Sequence, residues 1–422
     1  MENDFSKIAK QLKEYKTVQG IMKFVNKEAI IKQHNKQSNN KATGIDGIGK
    51  QEYGEKLDEN VNNLINRMKT MSYRPKEVRR TYIPKVGSKE LRPLGIPAYE
   101  DKLVQGAMAD VLNEIYENIF LDCSYGFRPN RDSHKAIKKL DKIIMKKKIN
   151  YVVDADIKGF FNNVNHEWLI KFLKHTIQDQ KFIRYIGRFL KSGIIENMQH
   201  YENDKGTPQG GIISPILANV YLHYVLDLWF ELYIKIKSKG GAYLVRYADD
   251  FVCCFERKED AEMFYKELKD RLNKFDLELA EDKSRIIPFG NNNSKEKFDF
   301  LGFTHINGKN RKGYYKLVHV TSKKKAKAKR QAVKQWLKES VRIYEIPYLI
   351  KLLNIKLQGT FRYYGVSDNC KWMITFREYV IYQLHKQICR RSQKGRISWK
   401  KFYKILEYNP IVEPKIYHSM WQ

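Results

Sequence analysis

Adjacent carboxylates interrupt an apolar segment of this 422-residue chain. Asp249 and Asp250 lie within the run 242–255, whose pattern predicts two short strands that turn at the aspartates. A third carboxylate, Asp156, comes near the end of the apolar stretch 151–157. If the three meet, like charges about 4 Å apart repel by roughly 4 kcal/mol per pair at an effective dielectric near 20. Divalent metal offsets that repulsion, so the carboxylates predict a two-metal site for phosphoryl transfer by a template-copying polymerase.

Asp154 is an alternative to Asp156 as the third carboxylate. Because side chains alternate across a strand, both aspartates point to the same face, and spacing alone does not choose between them. An aspartate pair in a turn is also common in solvated loops. The interpretation therefore depends on the other segments and on their order.

Charge and composition indicate the class of partner. The formal net charge of +31 is typical of a protein that binds a polyanion, and we expect that polyanion to be nucleic acid. A lysine-rich, solvated surface is the alternative. No run approaches the roughly 18 uninterrupted apolar residues of a transmembrane helix, so we expect no membrane partner.

The termini and the cysteines indicate a compartment. Residues 1–7 lack the basic and apolar regions of a secretory signal. The five cysteines form no Cys-x-x-Cys pair, which argues against structural zinc and against a disulfide framework. We therefore expect a cytoplasmic protein.

The elements that must position the carboxylates follow from hydrophobic periodicity. Segments 78–84 and 91–96 are predicted to be strands joined by a turn, and 98–120 is predicted to be a helix. The middle of the chain alternates strands and helices, which predicts an α+β domain with helices on one face of a sheet. At about residue 320 the composition shifts to a lysine-rich segment that opens an all-helical region running to about 391.

Eight segments, taken in this order, resemble the reverse transcriptases encoded by bacterial group II introns, over about 44–402. They are Gly-Ile-Asp-Gly at 44–47, Ile-Pro-Lys at 83–85 with Leu-Arg-Pro-Leu-Gly-Ile-Pro at 91–97, Ser-Tyr-Gly-Phe-Arg-Pro-Asn-Arg at 124–131, Asp-Ala-Asp-Ile-Lys-Gly-Phe-Phe at 154–161, Gly-Thr-Pro-Gln-Gly-Gly at 206–211, Tyr-Ala-Asp-Asp at 247–250, Lys-Ser at 283–284 and Phe-Leu-Gly-Phe at 300–303.

The resemblance implies a right-hand polymerase with an antiparallel palm sheet and an all-helical thumb, in a short form that lacks the endonuclease domain. The expected segmentation is an N-terminal extension with the start of the fingers at 1–70, fingers and palm at 71–320, a thumb or maturase region at 321–395, and a short C-terminal tail at 396–422.

The resemblance also selects Asp156 over Asp154. It implies that Asp156 and Asp249 bind two Mg²⁺ ions, with Mn²⁺ as an alternative, and that Asp250 completes the cluster. The backbone carbonyl of Ile157 is a further expected ligand.

Five residues are expected to contact the incoming nucleotide. Lys85 and Arg92, on the 78–96 hairpin, would clamp the triphosphate, although two ordinary surface cations are the alternative. Lys283 resembles the lysine that protonates pyrophosphate. Phe161 would clash with a 2′-hydroxyl and so select deoxynucleotides, or it is simply a core residue. Gln209 is expected to approach the nascent base pair.

The expected nucleic-acid contacts lie in two places. Arg128 and Arg131 would hold the template or the fingers backbone, with a local salt bridge as the alternative. Lys324, Lys327 and Arg330, on the first thumb helix, would meet phosphates.

The expected partners are an RNA template, a DNA or RNA primer, deoxynucleoside triphosphates and a group II intron RNA, which the protein would help to splice and mobilise. One alternative is a non-catalytic RNA-binding maturase that has kept the fold. Another is a reverse transcriptase repurposed for phage defence or DNA repair.

Overall fold

The computed structural model describes residues 5–84, 91–196, 199–201, 205–206, 210–290, 294–391 and 396–420. The chain divides into two compact units, built from the described residues of Met1–Lys85, Glu90–Ala136 and Tyr151–Ile286 and from those of Ile137–Asn150 and Ile287–Gln422. Helices and sheets occur in both units, as expected for an α+β protein.

The helices, in chain order, are α1 (Ser6–Tyr15), α2 (Lys27–Lys36), α3 (Lys50–Glu55), α4 (Leu57–Lys69), α5 (Tyr99–Tyr116), α6 (Ser133–Lys146), α7 (Phe160–Asn163), α8 (His166–Thr176), α9 (Gln180–Leu190), α10 (Ser214–Leu222), α11 (Lys235–Lys237), α12 (Lys258–Lys274), α13 (Lys323–Ser340), α14 (Ile346–Tyr364), α15 (Cys370–Cys389) and α16 (Trp399–Tyr408). A 3₁₀ turn covers Ile21–Phe24, and two π-helical segments, His223–Asp227 and Phe230–Ile234, lie between α10 and α11.

The strands are β1 (Val78–Pro84), β2 (Leu91–Ile96), β3 (Tyr151–Ala155), β4 (Ile194–Glu196), β5 (Gln199–Tyr201), β6 (Ala242–Tyr247), β7 (Asp250–Phe255), β8 (Arg285–Pro288), β9 (Lys297–Phe300), β10 (Phe303–Lys309) and β11 (Tyr315–Thr321). They form three sheets, with the orders β2-β1-β4-β5, β6-β7-β3-β8 and β11-β10-β9. The predicted strands 78–84 and 91–96 are confirmed as β1 and β2, which pair antiparallel.

The sheet β6-β7-β3-β8 lies in the main core. Strand β7 is buried from Phe251 to Phe255, which is the pattern of a strand covered on both faces. Helix α12 packs against β3 and β7 through side chains one helical turn apart, Phe264 and Leu268, which are fully buried. The rigid centre of this sheet therefore carries the hairpin that ends at the paired aspartates.

The second unit includes the β9–β11 sheet, whose strands lie largely within the segment 71–320 that was expected to form the fingers and palm. Aromatic contacts join this sheet to helices of the same unit. The Phe303 ring lies 5.9 Å from that of Tyr363, whose hydroxyl donates to the Leu301 carbonyl at 2.8 Å.

The segment 396–422 was expected to be a short C-terminal tail, and its described residues pack against helices of the second unit. Phe402 of α16 and Ile411 are buried in the same core as α14 and α15. Asn354 of α14 also donates to the Pro410 carbonyl at 2.8 Å and accepts from the Val412 amide at 3.0 Å. These contacts make the segment part of the second unit.

None of the helices in the described residues combines the length and the apolar character that crossing a bilayer needs. All five cysteines are free thiols.

Candidate active site

The aspartate hairpin is a two-residue connection in which Tyr247 pairs with Asp250. Ala248 takes a positive φ of 57°, a conformation that is unfavourable for a residue with a Cβ and that needs support from its surroundings. Gly126 packs closely against this turn, since a Cβ on Gly126 would lie 2.3 Å from the Ala248 nitrogen. The Ser-Tyr-Gly-Phe segment at 124–127 therefore needs glycine where its backbone crosses the hairpin.

Arg246, immediately before the hairpin, is the residue that fixes it. The side chain is fully buried, and its Nε and Nη2 donate to the two oxygens of Asp227 at 2.7 and 2.5 Å. Its Nη1 donates to Asn219 Oδ1 at 3.0 Å and to the carbonyl of Ala248 at 2.9 Å. A bidentate arginine–carboxylate pair is strong and directional, so it holds the turn in one geometry.

The helical region opposite the hairpin supplies both partners of Arg246. Asp227 ends the π-helical segment that follows α10, and Asn219 lies two turns earlier. The Asn219 amide also donates to the Gly126 carbonyl at 2.7 Å, which connects the crossing segment to the same group of hydrogen bonds. Sequence reasoning missed Arg246, although a charged residue inside an apolar strand is a signal that could have found it.

Strand register brings Asp156 to the hairpin. Strands β3 and β7 pair antiparallel, and the last pair is Ala155 with Phe251. Asp156 follows this last pair on β3, and Asp250 precedes it on β7, so both aspartates lie at the same end of the paired strands. Asp154 pairs with Val252 and so lies farther along the strand from the hairpin.

The Lys-Ser segment at 283–284 contacts Asp156 through both of its side chains. The Lys283 amine lies 3.6 Å from Asp156 Oδ2, and the Ser284 hydroxyl accepts from the Asp156 amide at 3.2 Å. The Lys283 side chain is 64% exposed and that of Asp156 is 46% exposed, so both remain accessible to a substrate. Lys283 is thus a solvent-exposed cation that lies next to the candidate carboxylate.

The donor chemistry of Asp156, Asp249 and Asp250 fits a hard divalent cation, because carboxylate oxygens are its preferred ligands. Within the described ranges, however, no three His, Cys, Asp or Glu side chains are arranged closely enough to hold a metal ion. Asp156 faces Lys283 instead. The metal-binding roles of the three aspartates and of the Ile157 carbonyl stay predictions.

Phe161 lies in the short helix α7, five residues after Asp156. Its ring is partly buried against the main core and meets the ring of Phe160 at 5.3 Å. Gly206 approaches it closely, since a Cβ on that glycine would lie 2.8 Å from the Phe161 carbonyl. The position is compatible with both expectations, a core residue and a steric gate.

Gly210 lies against the β1–β2 hairpin. A Cβ on Gly210 would lie 2.4 Å from the Gly95 carbonyl of β2, and Gly210 has a φ of +119°. Lys85 and Gln209 lie outside the described residues. Arg92 is placed only through its backbone, which pairs with Ile83.

The structure favours the local-salt-bridge alternative for Arg128. The residue is only 5% exposed, and it donates from Nε and Nη2 to the two oxygens of Glu117 at 2.9 and 3.0 Å. Arg131 is more accessible, but it also pairs locally, with Asp122 at 2.7 Å. Both arginines therefore pair with carboxylates of the protein itself, and neither contact indicates a role in binding the template.

The three cations expected on the first thumb helix lie on α13 in the second unit. Lys324 and Lys327 are exposed. Arg330 is half-buried, and its guanidinium lies 5.5 Å from the centre of the Tyr379 ring of α15. The contacts of Arg330 therefore favour packing between helices over phosphate binding.

Comparisons with known proteins agree with this arrangement. A protein-family model described as reverse transcriptase (RNA-dependent DNA polymerase) matches residues 83–305. The group II intron-encoded protein LtrA of Lactococcus lactis subsp. cremoris is 36% identical over 286 residues, which cover 54% of this chain and 47% of LtrA.

Two further relatives extend the comparison. Protein YkfC of Escherichia coli (strain K12) is 31% identical over 58% of this chain and 71% of its own length. An uncharacterized 91 kDa protein in the cob intron of Schizosaccharomyces pombe is 32% identical over 51% of this chain and 26% of its own length. The chain thus spans about half the length of LtrA and a smaller part of the fission-yeast protein.

Proposed function

The chain belongs to the reverse transcriptase family, and from that premise we propose that it is an RNA-directed DNA polymerase. The observation that carries the proposal is the antiparallel pairing of β3 and β7, which brings Asp156 and Asp250 to the same end of the two strands. The Arg246 pair holds the hairpin in place, and Lys283 lies beside Asp156. A right-hand arrangement would then use the β6-β7-β3-β8 sheet as the palm, the β1–β2 hairpin as part of the fingers, and helices α13–α15 as the thumb.

Asp156, Asp249 and Asp250, with the Ile157 carbonyl, would hold two Mg²⁺ ions. When bound, the ions lower the pKa of the primer 3′-hydroxyl and stabilise the leaving pyrophosphate. Lys283 would deliver a proton to that leaving group, and its amine, 3.6 Å from an Asp156 oxygen, supports this role. Phe161 would exclude the 2′-hydroxyl of a ribonucleotide, and Lys85, Arg92 and Gln209 would bind the nucleotide.

The experiment is primer extension on an RNA template with Mg²⁺ and deoxynucleoside triphosphates. We expect Asp249→Ala to lower incorporation by about 10³-fold or more, because charge stabilisation in the transition state is lost. The exposed aspartate of α12 provides a matched control, and Asp270→Ala should extend at the wild-type rate. Full activity in Asp249→Ala would refute the assignment.

We also infer that the protein binds a group II intron RNA and aids splicing and mobility. The similarity to a group II intron-encoded protein and the charge of +31 support this inference. Sequencing of the RNA that co-purifies with the protein tests it, and recovery of intron RNA is the expected result. Splicing assistance without any incorporation would favour the non-catalytic maturase. Recovery of unrelated RNA would favour a role in phage defence or repair.

A further inference from the structure

A basic groove of about 950 Å³ lies along helix α9 in the first unit, on residues that take no part in the candidate active site. Four cations line it: Arg184, Arg188 and Lys191 at the helix, and Arg74 in the segment before β1. Among the described lining residues, Glu77 is the one acid. The groove therefore carries an excess of positive charge.

Three of these cations are exposed and have free side chains. Within the part of the chain that the structure describes, the side chains of Arg74, Arg184 and Lys191 make no hydrogen bond or ion pair. Arg188 is held in place, because its Nη1 donates to the Tyr73 carbonyl at 2.7 Å and its guanidinium lies 5.0 Å from the Tyr185 ring centre. Such an arginine keeps further donors for an anion such as phosphate.

The spacing of the cations fits a chain of anions better than a single one. Arg184, Arg188 and Lys191 share one face of α9 and extend over about 10 Å of the helix at a rise of 1.5 Å per residue. Cations that bind one phosphate converge on a point, whereas these follow a line. A polyphosphate backbone presents its charges in the same linear way.

A glycine in the middle of α9 leaves room for a ligand in the groove. Gly187 faces the groove between Arg184 and Arg188, although glycine is less favourable than alanine in a helix interior. A Cβ on Gly187 would meet no atom within 4 Å, so packing within the described protein does not require glycine at this position. The missing side chain widens the groove where a ligand backbone would pass.

An aromatic side chain stands at the rim of the groove. Tyr201, the last residue of β5, is 46% exposed and lines the groove. Exposed tyrosines next to cations form stacking platforms for unpaired bases. Single-stranded nucleic acid is bound by cations that contact its phosphates and by aromatic rings that stack on its bases, and the groove offers both.

We propose that the α9 groove binds the phosphate backbone of RNA at a place separate from the nucleotidyl-transfer site. The choice of RNA rests on the proposed function, in which RNA is the template and the partner. The groove then anchors a long RNA while a different part of the chain carries out incorporation.

The test uses the full chain and a long folded RNA transcript, with affinity measured at several salt concentrations. In Arg184→Gln/Lys191→Gln we expect about tenfold weaker binding and a log–log salt slope that falls by about 1.5 for two lost phosphate contacts. The matched control, Lys266→Gln/Lys274→Gln, removes the same charge from exposed positions of α12, and it should bind almost as tightly as the wild type. Gly187→Ala should keep or raise the melting temperature while weakening RNA binding.

Incorporation on a short oligonucleotide template–primer separates this proposal from the proposed function. We expect it to be unaffected in Arg184→Gln/Lys191→Gln, and to be lost in Asp249→Ala while that variant binds the long RNA normally. Wild-type affinity and salt slope in both groove variants would overturn the proposal. Equal losses in the groove and control double variants would also overturn it, as would a parallel loss of incorporation on the short template–primer.

Discussion

Each of the two compact units buries a cluster of charged groups, but the clusters are satisfied to different degrees. In the first unit, every contact of Arg246 with Asp227, Asn219 and the Ala248 carbonyl is a hydrogen bond of 3.0 Å or less. In the second unit, fully buried His319 lies 3.7 Å from Asp141, too far for a hydrogen bond.

The second cluster continues on the other side of the imidazole. Nδ1 of His319 lies 3.9 Å from Asp368, whose other oxygen pairs with Lys316 at 2.5 Å. Within the described residues, neither ring nitrogen of His319 makes a hydrogen bond. Hydrogen bonds therefore hold the first cluster in one geometry, whereas the second cluster can respond to protonation.

Breaking the first cluster should have the largest effect. Arg246→Met leaves Asp227 as a buried, unpaired carboxylate, so we expect the free energy of unfolding to fall by about 3–5 kcal/mol, as measured by urea denaturation. The double variant Arg246→Met/Asp227→Leu should recover much of that stability but not nucleotide incorporation, because the hairpin loses its hydrogen bond at Ala248. A double variant with full activity would contradict the positioning role of Arg246.

The crossing segment provides a smaller test of the same geometry. A Cβ on Gly126 would lie 2.3 Å from the Ala248 nitrogen, so Gly126→Ala should force a backbone shift and destabilise by about 1–3 kcal/mol. Gly359→Ala in α14 is the control, since its Cβ would meet nothing within 4 Å, and it should stabilise slightly. Equal thermal stability of the two variants would show that the approach to Ala248 is not constrained.

The second cluster should respond to pH in two opposite ways. Burial raises the pKa of Asp141 to about 6. Its stabilising contribution is therefore complete below about pH 4 and is lost as the pH rises through about 6. Burial also raises the pKa of Asp368, but His319 and Lys316 outweigh it and the pKa is lowered, so its contribution is lost as the pH falls.

Two single substitutions separate the contributions of Asp141 and Asp368 to the pH dependence of stability. Their expected effect on stability is the smallest of these predictions. Asp141→Asn should remove most of the decline in stability between about pH 4 and pH 6, whereas Asp368→Asn should remove acid lability. Hydrogen exchange at the amides of α14 and α15 measures both. Identical pH profiles for the two variants would contradict the opposite signs.

Local structure was largely predictable. The hairpin 78–96, the strand before Asp156 and the strand–turn–strand at Asp249-Asp250 follow from alternation of apolar residues and appear where expected. The helix predicted at 98–120 is observed at Tyr99–Tyr116. These features depend on neighbouring residues, whose pattern is visible in the chain itself.

Contacts over long sequence distances were not predictable in the same way. The pairing of Arg246 with Asp227 depends on a π-helical segment that shifts the register of the helix after α10. The ion pair of Arg128 with Glu117, 11 residues earlier in the chain, is the local alternative that the sequence left open. Residue types alone do not distinguish a buried ion pair from a phosphate-binding arginine.

The amino-acid sequence by itself determined the family, the candidate carboxylates and their order, because those follow from residue types at short spacings. Only the tertiary structure decided that Arg246 fixes the hairpin, that Lys283 lies beside Asp156, and that residues after 396 pack into the helical core. The physical reason is that each of these contacts joins distant parts of the chain. Its existence depends on register, burial and the direction of a side chain, which local pattern does not encode.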